Sequence, residues 1–230
     1  MFETRFAYTL HGASKCAEYE YNAGVGTSTI EFRVSDAVSW LIELVSIRTS
    51  QAAKKAITQN GLIYEQVLSS NAKDRAQSEE AEMITAQQKI GEKVFTNGGP
   101  TKFPLPQANS YHVILVDTRG YLDEGGDVFD YRQMAYGAQG IPPRYAWTIH
   151  YWENEHGKLE PIKGLFEKEC PPRAAPFIQE RIHFLGFICE REFCAGEISN
   201  RAYYLPNPHL LSNDKAREIY ETFPLKEKHA

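Results

Sequence analysis

Residues 28–47, STIEFRVSDAVSWLIELVSI, carry the pattern that decides the fold. Two segments, 28–34 and 40–47, are rich in β-branched, aromatic and aliphatic residues, and SDAVS separates them. Because a connection this short joins neighbouring antiparallel strands, the stretch predicts a β-hairpin. Each strand carries one acidic residue among apolar ones, Glu31 in the first and Glu43 in the second.

The segments around this hairpin favour helices. Residues 10–26, LHGASKCAEYEYNAGVG, predict a short helix that carries Glu18 and ends at two glycines. Residues 50–70 are also typical of a helix. Residues 78–95 predict a clearer one, because Ser78 is suited to the N-cap, glutamates fill the first turn and apolar residues recur at helical spacing. This helix is expected to cover one face of a sheet.

The second half predicts a buried strand and further elements. Residues 97–110 are rich in Pro, Gly and Asn and predict a surface loop. The uninterrupted apolar run YHVILV at 111–116 predicts a central strand buried on both faces. A long polar loop is expected over 117–137. Further strands at 145–152 and 181–190 and a terminal helix from Ser212 follow.

These elements together predict one mixed α/β domain over residues 1–230. Its core is expected at about residues 10–120. A C-terminal elaboration with additional strands and the terminal helix is expected at about residues 121–230.

Composition excludes several classes of protein. The chain has 230 residues, 42% of them hydrophobic, which excludes disorder and collagen-like repeats. The formal net charge is −5, so a protein that wraps much duplex DNA is disfavoured. No GxSxG elbow, phosphate-binding P-loop or dinucleotide-binding GxGxxG is present in the sequence. Four scattered cysteines and the lack of a long apolar run lead us to expect a cytoplasmic protein without membrane contact.

Glu31 and Glu43 form the clearest candidate site in the sequence. Side chains of neighbouring strands converge when the register places both on one face. Carboxylates among apolar residues are costly unless a cation pairs with them, and Mg²⁺ prefers such oxygen ligands. Carboxyl carbons more than about 8 Å apart could not share one Mg²⁺ ion. The alternative is that each glutamate faces solvent or pairs with Arg33 or Arg48.

The order of these acidic elements resembles that of the PD-(D/E)xK, or restriction-endonuclease-like, nucleases. The resemblance covers about the first 120 residues and implies a central mixed sheet flanked by helices. It implies that Glu31 and Glu43 are the two strand acids that bind Mg²⁺ or Mn²⁺, and that Glu18 is the helix acid that some members use.

The family's lysine, two residues after the second acid, is replaced here by Val45. Some members supply this lysine from the following helix, where the sequence offers Gln87, Gln88, Lys89 and Lys93. We assign Lys89 as the catalytic cation. The resemblance then implies metal-dependent hydrolysis of a phosphodiester bond in DNA or RNA.

The polar segment 117–137 is the candidate substrate-binding loop. An open α/β sheet places ligand contacts at the carboxyl ends of its strands, and arginine and tyrosine suit phosphates and bases. The alternative is a loop held by its own aspartate contacts. The candidate residues are Asp117, Arg119, Asp130, Tyr131 and Arg132.

A second function class competes with the nuclease. The absent lysine and the negative charge also suit a catalytically silent relative that acts as an interaction module in bacterial defence. We expect nucleic acid as the partner, and a homodimer is one possible assembly. Convergence of the Glu31 and Glu43 carboxylates in a structure would separate the two classes, and a Mn²⁺-soaked crystal inspected between them would be the most informative observation.

Overall fold

The fold is taken from a computed structural model, which describes residues 2–48, 57–60, 63–66, 78–96, 98–122, 125–189, 198 and 202–225. Its main feature is a six-stranded mixed sheet, and the fold is therefore mixed α/β, as the sequence predicts. The strands of this sheet are β1 (Ala17–Tyr21), β2 (Ile30–Ser35), β3 (Ser39–Ser46), β8 (Ser110–Asp117), β11 (Phe184–Ile188) and β12 (Tyr203–Pro206), in that spatial order.

The sheet combines both strand orientations. Strands β1, β2 and β3 pair antiparallel with one another, β3, β8 and β11 are mutually parallel, and β12 is antiparallel to β11 at the far edge. The central strand β8 is buried over most of its length, because helices cover both faces. The predicted hairpin and the predicted central strand are thus both confirmed.

Helices form a layer on each side of the sheet. One layer contains α2 (Glu79–Gly91), α3 (Val128–Tyr136) and α4 (Ala175–Arg181), whose apolar residues share a core with Leu41 and Val45 of β3. The other layer contains α1 (Phe2–Gly12) and α5 (Asn213–Tyr220). Ser78 accepts a hydrogen bond from the N–H of Ala81 (3.1 Å) at the start of α2, which confirms the predicted N-cap. Ser212 caps α5 in the same way.

Short elements complete the described chain. They are the two-stranded hairpins β4 (Ile57–Asn60) with β5 (Ile63–Gln66), β6 (Phe95–Thr96) with β7 (Gly99–Pro100) and β9 (Tyr151–Glu153) with β10 (Leu159–Pro161), and the 3₁₀ helices Gly137–Gly140 and Pro143–Thr148.

The predicted helix at 10–26 is wrong. Helix α1 ends at Gly12, and Ala17–Tyr21 forms β1, in which Ala17 pairs with Val34 of β2. Residues 17–21, AEYEY, have only a modest helix preference, and their two tyrosines also suit a strand. Pairing with the edge of the hairpin therefore makes them a strand. Glu18 therefore lies on a strand and not on a helix.

Other predictions in the loops and helices also need correction. Within 50–70 the described residues form β4 and β5 rather than a helix, and the remaining residues of that segment lie outside the described ones. The 117–137 segment is not all loop. It contains helix α3, which the reciprocal capping box of Asp127 and Asp130 initiates. Half of the strand predicted at 145–152 is 3₁₀ helix.

Candidate metal centre

The β2–β3 hairpin places Glu31 and Glu43 side by side. Phe32 of β2 pairs with Ile42 of β3. Because the strands are antiparallel, Glu31, one residue before Phe32, lies beside Glu43, one residue after Ile42. Side chains alternate along a strand, so Glu43 shares the face of Leu41 and Val45, which α2 covers. The hairpin register therefore brings the two predicted acids together.

Main-chain donors fix one oxygen of each carboxylate. Oε2 of Glu43 accepts a hydrogen bond from the N–H of Glu31 (3.3 Å). Oε2 of Glu31 accepts one from the N–H of Leu44 (3.0 Å). Each glutamate is thus oriented by the strand that carries the other, and the Oε1 atoms are left for other partners.

Two lysines meet these remaining oxygens. Nζ of Lys93 lies 2.8 Å from Oε1 of Glu43 and 3.1 Å from Oε1 of Glu31. Nζ of Lys102 also donates to Oε1 of Glu43. Both Oε1 atoms therefore converge on one position, which a lysine ammonium occupies.

Glu31, Glu43, Lys93 and Lys102 form a cluster that is buried on the side of Glu43 and partly exposed on the side of the other three residues. The Glu43 side chain has no solvent exposure, whereas Glu31, Lys93 and Lys102 are 19%, 25% and 18% exposed. Solvent and small ligands can thus approach the Glu31 and lysine side without unfolding of the core.

The two carboxylates have opposite pKa shifts. Burial raises the pKa of Glu43 to about 8, and the adjacent Glu31 carboxyl adds to this effect. Burial alone would raise the pKa of Glu31 too, but the hydrogen bond from Glu43 and the charge of Lys93 lower it overall. Close carboxyl groups repel each other when both are ionised, which separates their proton affinities in this way.

Lys93 keeps its charge in this setting. Burial works to lower its pKa, but the carboxylates of Glu43 and Glu31 outweigh burial and raise it. The ammonium therefore stays protonated near neutral pH and supplies a fixed positive charge beside two oxygens.

The donor set fits a hard divalent cation. Mg²⁺ is commonly held by one or two carboxylates, with water and substrate oxygens as the other ligands. The Oε1 atoms of Glu31 and Glu43 contact the same Lys93 ammonium, at 3.1 and 2.8 Å, so the two carboxylates are close enough for one ion to bind both. No cluster of three or more His, Cys, Asp or Glu side chains arranged to hold a metal occurs in the described part of the chain. A metal here would thus rest on two protein carboxylates.

The structure places two other predicted site residues away from this pair. Lys89 is exposed on α2 and forms an ion pair with Glu92 (2.7 Å). Glu18 on β1 is exposed and pairs with Arg33 of β2 (3.2 Å). Lys93, which the sequence offered on the same helix as Lys89, takes the position beside the acids.

The predicted substrate-binding residues are engaged with other parts of the protein. Asp117 is buried at the end of β8 and accepts a hydrogen bond from Nε of Arg119 (2.8 Å). It pairs with Ser46, three positions beyond Glu43 on β3, which is about 10 Å along the strand. Arg119 thus faces an internal partner at the carboxyl edge of the sheet.

The three predicted residues on α3 also have structural partners. The Tyr131 ring stacks on Phe187 with 4.9 Å between centroids, so this face is not free for a base. Asp130 completes the helix cap and accepts from the His150 ring at 3.2 Å. Arg132 donates to the Tyr203 hydroxyl (3.1 Å). None of these contacts reaches Glu31 or Glu43 among the residues that the structure describes.

Lys102 is the site residue that sequence analysis missed. It lies between Thr101 and Phe103 in the Pro- and Gly-rich segment, without a motif or a periodic pattern around it. A single lysine in such a loop gives no sequence signal of its partner. Choosing Lys93 over Lys89 was also beyond the sequence, because both suit the same helix face at a spacing of four residues.

Searches of known protein families, curated proteins and solved structures found no match to this chain. In the described residues, no helix combines the length and the apolar character needed to cross a membrane.

Proposed function

We propose that the protein is a divalent-metal-dependent nuclease that hydrolyses phosphodiester bonds of DNA or RNA. The observation that carries the proposal is the convergence of Glu31 Oε1 and Glu43 Oε1 on Lys93 Nζ, at 3.1 and 2.8 Å. Two carboxylates can hold a divalent ion, and a lysine beside them can stabilise charge on a phosphate that the ion binds.

The order of elements supports the same assignment. An acidic hairpin of β2 and β3 is followed along the chain by α2 and by β8, and β8 lies parallel to β3. This matches the hairpin, helix and buried strand on which the resemblance to restriction-endonuclease-like proteins rests, whereas the helix acid of that resemblance, Glu18, lies on strand β1. The lysine reaches the acids from the end of α2 and not from β3, as in family members with a relocated lysine.

Each residue has a defined role in the proposed reaction. Glu31 and Glu43 would hold Mg²⁺ or Mn²⁺, which when bound polarises the phosphate and lowers the pKa of a water ligand. The N–H groups of Glu31 and Leu44 keep the two carboxylates oriented. Lys93 would hold the attacking water or offset the charge that develops on the phosphate oxygens.

A catalytically silent interaction module, of the kind found in bacterial defence, is the second candidate. The observation that favours it is that Glu43 already has two ammonium partners, Lys93 and Lys102. The two ammonium groups offset the charge of the carboxyl pair whether Glu43 is ionised or protonated, so the folded protein does not need a metal to neutralise the cluster.

A nuclease assay with matched lysine variants distinguishes these functions. Labelled single-stranded DNA, duplex DNA and RNA would be incubated with the protein and millimolar Mg²⁺ or Mn²⁺. We expect cleavage of at least one polymer and a loss of about 10²–10³-fold in Lys93→Met, because a charge aimed at the reacting group is removed.

Lys89→Met is the matched control, since Lys89 lies four residues earlier, is exposed and pairs with Glu92. It should leave cleavage unchanged. Glu43→Gln should abolish cleavage and metal-dependent thermal stabilisation together. Folded protein that cleaves none of the polymers with either metal would reject the nuclease and support the silent module.

A further inference from the structure

The cluster holds one cation more than the proposed nuclease needs. Lys93 contacts both glutamates, whereas Lys102 donates to Oε1 of Glu43, the same oxygen that Lys93 contacts. Two ammonium groups therefore converge on the buried oxygen that is also a proposed metal ligand.

The backbone holds Lys102 in place on both sides. The N–H of Thr101 donates to the carbonyl of Val94, just after Lys93 (2.7 Å), and the ring of Phe103 is fully buried. Lys102 itself donates its N–H to Val25 (3.3 Å). The position of the Lys102 Cα is thus tied to the core and to the end of α2.

The conformation of Lys102 is unusual for a residue with a side chain. Its φ is +66°, in the left-handed region that glycine favours. Such a conformation is strained and persists when surrounding contacts require it. Here the contacts direct a long cationic side chain at a buried carboxylate.

We propose that Lys102 is an internal competitor of the divalent cation, and that its ammonium must leave Glu43 before the ion can bind. This inference rests on the proposed function, because it assumes that Glu31 and Glu43 bind a metal. The Lys102 side chain is 18% exposed, so it can swing towards solvent without disturbing the core. Lys93 lies between the two Oε1 atoms and must also shift when an ion binds there, but it belongs to the proposed catalytic machinery, so Lys102 is the cation of the cluster that the proposed reaction does not use.

Calorimetric titration with MnCl₂ alone tests the competition without any measurement of cleavage. Wild type, Lys102→Met and Lys102→Gln would be compared, after thermal unfolding without metal shows that each is folded. We expect both variants to bind Mn²⁺ about tenfold or more tightly than wild type, which corresponds to about 1.4 kcal/mol.

Two controls separate loss of the contact from loss of charge. Lys102→Arg keeps a cation at Glu43 and should bind Mn²⁺ as weakly as wild type. Lys89→Met removes a charge that is paired elsewhere and should also match wild type. Equal affinity of wild type, Lys102→Met and Lys102→Gln would overturn the competition and leave the metal site standing. Absence of Mn²⁺ binding in every variant would overturn both the competition and the proposed nuclease.

Discussion

Glu43 has a fully buried carboxylate, and its presence in the core depends on the donors around it. Lys93, Lys102 and the N–H of Glu31 all contact it. Removing one partner of a buried ion pair is costly because the remaining charge stays buried and loses its compensation. The energies of these groups are therefore coupled, and single substitutions cannot be added.

A double-mutant cycle should reveal this coupling. We expect Lys93→Met to lower the free energy of unfolding by about 1–3 kcal/mol, less than for an isolated pair, since Lys102 stays on Glu43. In the Lys93→Met/Glu43→Gln variant the loss should be clearly smaller than the sum of the two single losses. Urea unfolding at pH 9, above the pKa of about 8 that burial gives Glu43, measures all three, and strictly additive losses would contradict the buried pair. Lys89→Met, which breaks an exposed pair, should change stability by less than about 1 kcal/mol.

At the scale of elements, the end of α2 determines where Lys93 lies. Gly91 is the last residue of the helix and is buried against Ala174, which precedes α4. A Cβ atom at Gly91 would lie 2.7 Å from the Cβ of Ala174. The absence of a side chain at this position thus allows the two helices to approach closely, two residues before Lys93.

Gly91→Ala should therefore destabilise the protein even though alanine favours helices. The gain in helix propensity is about 1 kcal/mol, whereas overpacking a tight contact costs about 1–3 kcal/mol. We expect a net loss of stability in thermal unfolding. Adding Ala174→Gly should restore part of that loss, because it removes the opposing Cβ. A Gly91→Ala variant more stable than wild type would show that the helices separate freely.

At the scale of the molecule, two buried histidines join the parallel strands near their amino ends. The N–H of His112 on β8 donates to Nδ1 of His183 (3.0 Å), and the N–H of His183 donates back to the carbonyl of His112 (2.9 Å). Nδ1 of His112 lies 2.6 Å from the Arg181 carbonyl, which can only accept. His112 thus carries its proton on Nδ1 and His183 on Nε2, and both rings are neutral.

These histidines predict acid sensitivity of the whole fold. Burial lowers the pKa of His112 to about 3 and that of His183 to about 4, from 6.5. Above pH 6.5 both are neutral in the folded and unfolded chain and contribute no pH dependence. Below pH 6.5 both histidines bind protons in the unfolded chain but stay neutral in the folded protein, so the free energy of unfolding falls as the pH falls. The loss extends to about pH 4 for His183 and to about pH 3 for His112. The loss can reach about 3 kcal/mol for each histidine by pH 4.

Urea unfolding at pH values from 7 to 4 checks this prediction. His112→Asn/His183→Asn keeps a donor and an acceptor near the two ring positions but removes the titration. Its stability should depend less steeply on pH than that of wild type. His156→Asn, at an exposed position, is the matched control and should keep the wild-type slope. Equal slopes in wild type and the double variant would contradict neutral buried rings.

The sequence by itself determined the parts of the fold in which local pattern and tertiary contacts agree. The two strand-forming segments and the short connection in 28–47 specified the hairpin, the apolar run 111–116 specified the buried strand, and Ser78 and Ser212 marked helix starts. The sequence left open whether Glu31 and Glu43 share a face of the sheet, and the register of the folded hairpin decided that they do.

Only the tertiary structure determined which lysines contact the site carboxylates and which segment forms the edge strand of the sheet. Lys93 and Lys102 are 50 and 59 residues from Glu43, and no local pattern relates loop positions at such distances to a strand. Likewise, Ala17–Tyr21 became a strand because β2 offered an unpaired edge, although its own residues tolerate a helix. Short-range propensities fix elements whose neighbours are close in sequence, whereas pairing across the fold depends on which surfaces the packed chain brings into contact.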